Sequence, residues 1–303
     1  MRPRVGVSSC LLGEQVRFDG GHRRHRFAVD VLGPHVEWVP FCPEVAIGLG
    51  TPREPIQLTD DGRLVNRGRT ADHTAAMTAL PLPAGLDGYL FKAKSPSCGI
   101  HGIPRYRADG QPEDKRGRGL YADRVIAADP VLPVEDEGRL TDDVLREAFV
   151  ERLFARARLR ELLESRWRPR DLIAFHARHK LQLLAHDPAR YRLIGPVVAQ
   201  AGNRPREEIG ARYTELFHAA MTGDATRGRH TNALLHAFSQ VSHILDDTRR
   251  IDLVDRIHAY QRGDATLSVP VALLTHHARG DGLTWLAEQT YLAPYPAALN
   301  LGA

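Results

Sequence analysis

The spacing of apolar residues changes once along this chain, and that change limits the folds open to it. Up to about residue 130, short runs of β-branched and aromatic residues alternate with turns rich in glycine and proline. The stretches "RVGVSS", "HVEWVPF" and "GYLFKAK" read as strands, with Val5, Val7, Val36, Trp38, Val39, Tyr89, Leu90 and Phe91 as their β-prone residues. Between them "RTADHTAAMTAL" predicts a helix that starts near Thr70 and is stopped by Pro81 and Pro83. A further strand is predicted in "RVIAADPVLPV", whereas "YRADGQPEDKRGRGLYAD" reads as a mobile polar loop. Strands alternating with helical connections predict a Rossmann-like α/β domain with a mainly parallel sheet.

Beyond "PVEDEGRLTDD" the period becomes helical. Thr141 is a suitable N-cap, with Asp142 and Asp143 in the first turn, where the helix dipole favours acids. Leu145, Ala148, Phe149 and Leu153 then follow helical spacing. Pro169 marks the next boundary, and "DLIAFHARHKLQLLAH", "REEIGARYTELFHAAM", "TNALLHAFSQVSHILDD" and "IDLVDRIHAYQRG" are all helical in pattern. The expected organisation is an α/β domain over residues 1–167 and an all-α domain over 168–303.

Composition narrows the setting. The 43% hydrophobic and 26% charged residues are ordinary for a folded globular chain and speak against disorder. No apolar run approaches the ~20 residues of a membrane span, and "MRPRVGVSSC" runs straight into a strand pattern without a signal-peptide core. Three widely spaced cysteines do not make a disulfide framework, so a reducing cytoplasm is expected. Basic and acidic residues number 20 and 21 up to residue 150, and 21 and 16 beyond it. The positive excess therefore belongs to the helical half, although mild basicity alone does not identify a partner.

Each cysteine follows a predicted strand: Cys10 in "VGVSSCLLG", Cys42 in "WVPFCPEVAIGLG" and Cys98 in "KSPSCG". In an open parallel sheet the carboxyl ends of the strands share one edge, where ligands bind. Three cysteines distant in sequence are thus expected to converge. A closed structural zinc site wants four ligands, and His22 or His101 would have to supply the fourth. Thiolates also suit iron–sulfur clusters, and a cubane held by three of them leaves one iron open as a Lewis acid.

The motifs "VGVSSCLLGEQVRFDGGH", "FCPEVAIGLGTPREP" and "KSPSCG" resemble those of the thiouracil desulfidase family. Downstream, "FHARHKLQLLAH", "GRHTNALLH" and "QTYLAPYP" resemble a second domain long left uncharacterised, and the fused pair is similar to bacterial desulfidases that remove sulfur from 4-thiouridine in tRNA. The resemblance covers nearly the whole chain. It implies that Cys10, Cys42 and Cys98 hold a 4Fe–4S cluster with one open iron, and that Glu44 and Ser95 are catalytic. The implied reaction gives uridine and hydrogen sulfide without net redox change. Free thiouracil or thionucleosides are the alternative substrates, and a non-catalytic RNA-binding iron–sulfur sensor is the alternative function. A carboxylate and a hydroxyl beside the cysteines favour the enzyme.

Arg17, Asp19, His22 and Arg53 share the cysteine-bearing loops and are expected to contact base, ribose or phosphate. Arg53 in "TPREP" reads equally as a partner for Glu54 or another carboxylate, and Lys94 gives no direction. The helical half holds ten of the fifteen histidines, but no HExxH pattern accompanies them. Lys180 and Arg229, with His176, His179 and His230, are expected to face a tRNA backbone. No obligate protein partner is evident.

Overall fold

Val5 and Val7 have no exposed surface, and they lie on an inner strand of the sheet that carries all three cysteine loops. The computed structural model describes residues 1–301. Its strands are β1 (Arg4–Ser8), β2 (Glu37–Phe41), β3 (Ile56–Thr59), β4 (Leu64–Asn66), β5 (Gly88–Phe91), β6 (Ile103–Tyr106), β7 (Pro112–Gly117) and β8 (Val134–Asp136). One four-stranded sheet has the order β2-β1-β5-β8 and is parallel throughout, as expected. Ser8 is in register with Phe41 and Val7 with Leu90. Strands β2, β1 and β5 therefore end at one level.

A second four-stranded sheet, β4-β3-β6-β7, was not foreseen in the sequence. It is mixed, with β3 antiparallel to β4 but parallel to β6, and β6 antiparallel to β7. The segment read as a polar loop supplies β7, whose acidic Asp114 accepts a hydrogen bond from Arg105 Nε on β6 at 2.9 Å. A solvated hairpin strand needs no apolar alternation, which is why its sequence looks like a loop.

The helices of this region are α1 (Pro43–Ala46), α2 (Thr74–Ala79) and α3 (Leu120–Ala128). Helix α2 begins four residues after the expected Thr70, because Asp72 rather than Thr70 accepts from the Thr74 N–H, at 2.9 Å. The predicted strand "RVIAADPVLPV" divides: only its last residue, Val134, enters the paired strand Val134–Asp136, and its first five residues end α3, which buries Tyr121, Ala122 and Val125 on one face. Their spacing of one and four is helical, and a short apolar run does not distinguish the two periods.

Helix α4 (Asp143–Glu164) is capped by Asp142, which accepts from the N–H groups of Val144 and Leu145 at 2.9 and 3.0 Å. The expected cap, Thr141, instead ends a short 3-10 turn and bonds back to the Gly138 carbonyl. The carboxylate one residue later takes the role because an anion is favoured at that end. The chain divides into two compact units, Met1–Ala157 and Arg158–Ala303, with the division inside α4.

The second unit is helical, comprising α5 (Pro169–Arg178), α6 (Lys180–His186), α7 (Pro188–Ala199), α8 (Arg206–Met221), α9 (Arg227–Val241), α10 (Asp247–Arg262), α11 (Ser268–Gly280) and α12 (Thr284–Ala287). Leu181, Leu234, Val241, Leu253, Ile257 and Leu274 form part of its core. Among the described residues no helix is long and apolar enough to cross a membrane.

Candidate functional site

Three strand ends build one cavity of about 450 Å³. Cys10 lies in the 3-10 turn directly after β1, which Gly13 closes at φ 104°, a backbone conformation that disfavours a side chain. Cys42 immediately follows β2 and leads into α1. Cys98 lies in the loop after β5. That loop is fixed by α3, since Ser97 O accepts from the N–H groups of Tyr121 and Ala122 at 3.0 and 3.1 Å. Gly119 makes this contact possible, because a Cβ there would lie 2.5 Å from the Ser97 carbonyl carbon.

All three cysteines line the cavity and none is in a disulfide. Cys10 and Cys98 are buried, and Cys42 is half-buried. Burial pushes the Cys10 thiol up to about 11, against the opposing charge of Lys92. Burial also raises Cys42 and Cys98, against the Val45 backbone N–H and the Ser8 hydroxyl respectively. Among the described residues no three His, Cys, Asp or Glu side chains close around a single-ion position. His22 and His101, the possible fourth zinc ligands, are exposed and lie outside the lining. Three soft donors spread over a cavity wall fit a polynuclear iron–sulfur group better than a tetrahedral zinc ion.

Glu44 is two residues beyond Cys42, on the first turn of α1. Its Oε2 accepts from Arg53 Nε at 3.0 Å and from Arg53 Nη2 at 2.5 Å. Only 7% of the Arg53 side chain and 13% of Glu44 are exposed, so the pair is shielded from screening by salt. Arg53 is positioned in turn by the carbonyls of Val16 and Gly50, at 2.9 and 3.0 Å. The other carboxylate oxygen, Oε1, accepts from Ser97 Oγ at 2.6 Å and lies 3.5 Å from Ser95 Oγ. Ser95 Oγ accepts from the Cys98 and Ser97 N–H groups at 3.1 and 3.3 Å, and shares a 2.9 Å hydrogen bond with Ser97 Oγ. One network thus joins the Cys42 turn to the Cys98 loop.

Arg17 also lines the cavity, where Asp19 pairs with it at 2.7 Å. Asp19 and His22 are themselves outside the lining; His22 Nδ1 accepts from the Arg24 N–H at 3.2 Å. Lys94 is exposed and lines the cavity rim with φ 60°. Sequence reasoning missed Ser97, Lys92 and Glu137. Lys92 lines the cavity, and its ammonium is held by Glu137 and by the Ala93 carbonyl. Glu137 also accepts from the Ala93 N–H at 2.6 Å. Ser97 was legible only as the second hydroxyl of "SPSC", and nothing local pointed to Glu137.

In the helical unit, Lys180 and His176 share a pocket, whereas His179 is buried and stacked on Phe175. His230 Nδ1 is 3.0 Å from the Tyr291 hydroxyl. The Arg229 guanidinium donates to the carbonyls of His186 and Asp224, at 2.6 and 2.8 Å.

Two family models match the chain. Residues 5–137 match the 2-thiouracil desulfurase family, and residues 180–296 match DUF1722, a family of unknown function. The uncharacterized protein YbgA of Escherichia coli (strain K12) is 30% identical over 151 residues, which is 50% of this chain and 89% of YbgA. The solved structure of the [4Fe-4S]-dependent thiouracil desulfidase TudS is 30% identical, covering 46% of this chain and 94% of that one, with a TM-score of 0.37. This chain therefore belongs to the 2-thiouracil desulfurase family through its cysteine-bearing region and to the DUF1722 family through its helical one.

Proposed function

We propose that this protein is an iron–sulfur-dependent desulfidase that hydrolyses the carbon–sulfur bond of a thiolated pyrimidine, with 4-thiouridine in tRNA as its substrate. The observation that carries the reading is the meeting of Cys10, Cys42 and Cys98 in one cavity with a carboxylate, Glu44, and a hydroxyl, Ser95. Membership in the 2-thiouracil desulfurase family supports the reaction class.

Cys10, Cys42 and Cys98 would hold the 4Fe–4S cluster as thiolates, each giving up its proton on loading. When bound, the cluster supplies an open Lewis-acidic iron that polarises the thiocarbonyl. Glu44 takes a proton from the attacking water through Oε1, the oxygen shared with the two serines, while Arg53 holds Oε2 still. Ser95 orients that water or donates to the developing negative charge. Water supplies the new carbonyl oxygen, and sulfur leaves as hydrogen sulfide after taking up two protons. No electrons are gained or lost overall.

The basic excess of the helical half supports an RNA substrate, with Lys180 as the better-placed contact. Arg229 is already engaged by two backbone carbonyls. A second reading, free thiouracil or thionucleosides, is supported by a cavity of about 450 Å³, at the lower end of the usual range for small-molecule sites. Arg17 and Arg53 would border either substrate; Asp19 would act by orienting Arg17, and His22 would lie at the periphery. The test is sulfide release by the anaerobically reconstituted full chain from thiolated tRNA, 4-thiouridine and thiouracil. Turnover of tRNA above the free compounds is expected. Turnover of the free compounds alone would select the second reading, and no sulfide from any of them would select a sensor.

A further inference from the structure

The helical unit contains a second pocket, of about 380 Å³, lined by Ile173, His176, Ala177, Lys180, Tyr191, Gln240 and Trp285. Five helices contribute to it: α5, α6, α7, α9 and α12. The His176 and Tyr191 rings lie nearly parallel, 12° apart in plane with centroids separated by 5.4 Å. His176 Nδ1 is 3.3 Å from the Tyr213 hydroxyl, which fixes the ring. Burial and the Lys180 charge push His176 down to about 4, so it remains a neutral imidazole near pH 7.

Across the pocket the Lys180 ammonium sits 5.7 Å from the centroid of the Trp285 indole. No acidic side chain lines the pocket, so the Lys180 ammonium meets no carboxylate on its walls. Gln240 is exposed at the pocket wall and offers both a donor and an acceptor. Ile173 is 51% exposed, leaving apolar surface uncovered at the same place.

These walls specify a ligand chemistry. A purely apolar ligand would make no use of the ammonium, and a lone phosphate would make no use of three aromatic rings. A cationic ligand would find no carboxylate. A planar heteroaromatic group joined to an anion uses every part: rings for stacking, an amide for the base edge, and an ammonium for phosphate. We infer that this pocket binds a nucleotide, with its base stacked on Trp285 or Tyr191 and its phosphate against Lys180. The inference deepens the proposed RNA-directed desulfidase and rests on it only for the source of the nucleotide, an unstacked residue of the tRNA.

The experiment uses the full-length protein with two probes, a labelled single-stranded oligouridine and free uridine 5′-monophosphate. Anisotropy and calorimetry report binding, and thermal melting confirms that each variant is folded. Trp285→Leu is expected to weaken oligouridine binding by about 5- to 100-fold, the scale of one lost base stack, and Trp285→Phe to recover most of it. Lys180→Gln is expected to weaken binding and to flatten the log–log salt slope by about 0.7, the loss of one phosphate contact on a single strand. Binding of both variants indistinguishable from wild type would overturn the pocket. If Trp285→Leu does not fold, the salt slope of Lys180→Gln decides alone. Uridine monophosphate binding that depends on Trp285, without oligouridine binding, would keep a nucleotide site and overturn its use on RNA. Thiouracil turnover by the wild-type chain reports the desulfidase reading separately, so the two can fail independently.

Discussion

Ser97 Oγ donates to Glu44 Oε1 across 2.6 Å, joining two residues 53 positions apart in sequence. Each is a near neighbour of a cavity cysteine, Ser97 of Cys98 and Glu44 of Cys42. This hydrogen bond therefore couples the placement of two thiols to the placement of the carboxylate. Ser97 is fully buried, so the bond does not compete with bulk water and the hydroxyl has little freedom to turn away.

Removing that hydroxyl separates positioning from cluster assembly. Ser97→Ala leaves Oε1 with only the longer contact to Ser95. Turnover should fall roughly tenfold or more, and stability by about 1–3 kcal/mol, the range for a broken buried hydrogen bond. Visible absorption of the reconstituted protein should remain at the wild-type level. Unchanged turnover would make Ser97 a loop fastener only.

Glu44→Gln removes the base but keeps the side-chain size. A loss of about 10²-fold or more in turnover is expected, with iron content retained. Wild-type turnover would remove Glu44 from the chemistry. The same substitution leaves the Arg53 charge without its carboxylate, so a drop in the urea midpoint should accompany it. Arg53→Lys should reproduce much of both effects, because a single ammonium cannot reach Glu44, Val16 and Gly50 at once.

Replacing Cys10, Cys42 or Cys98 by alanine should abolish cluster absorption and turnover together. Wild-type protein should bind about four irons per chain after anaerobic reconstitution. Loading should release protons, since burial keeps these thiols protonated in the metal-free protein well above neutral pH. One zinc ion per chain in active protein, displaced by no iron, would sink the cluster assignment.

Acid should destabilise the helical unit through two histidines. Burial lowers His176 to about 4 and His179 to about 3, from 6.5 in an exposed histidine. A depressed folded value means that the unfolded chain binds more protons between the two values. Stability is thus fully present above about pH 6.5 and is lost as the pH falls through 4 and then 3. For His176 the linkage amounts to roughly 3 kcal/mol. Denaturation midpoints from pH 7 to 4 should fall steeply in wild type and less steeply in His176→Gln. Parallel curves would show that other groups carry the acid sensitivity.

Local pattern was enough to read the larger outline. Runs centred on Val5, Val39 and Leu90, alternating with helical connections, pointed to a parallel sheet. The glycines and prolines after them placed the cysteine loops at the strand ends. The helical half was legible from its period. The mixed sheet was not, because β7 is a solvated strand whose sequence, PEDKRG, carries no apolar signal. Helix α3 was misread as strand for the opposite reason, a short apolar run that fits both periods.

By itself the sequence determined which residues end the strands β1, β2 and β5, and hence that Cys10, Cys42 and Cys98 come to one edge. That information is local, carried by side-chain period and turn residues. The tertiary structure alone decided which groups meet around them. Glu44 with Arg53 and Ser97, Lys92 with Glu137, and Lys180 over Trp285 are pairings that propensity does not encode. They follow from strand register, from the close approach allowed at Gly119, and from helix packing, which fix distances between segments that the chain separates by up to about a hundred residues.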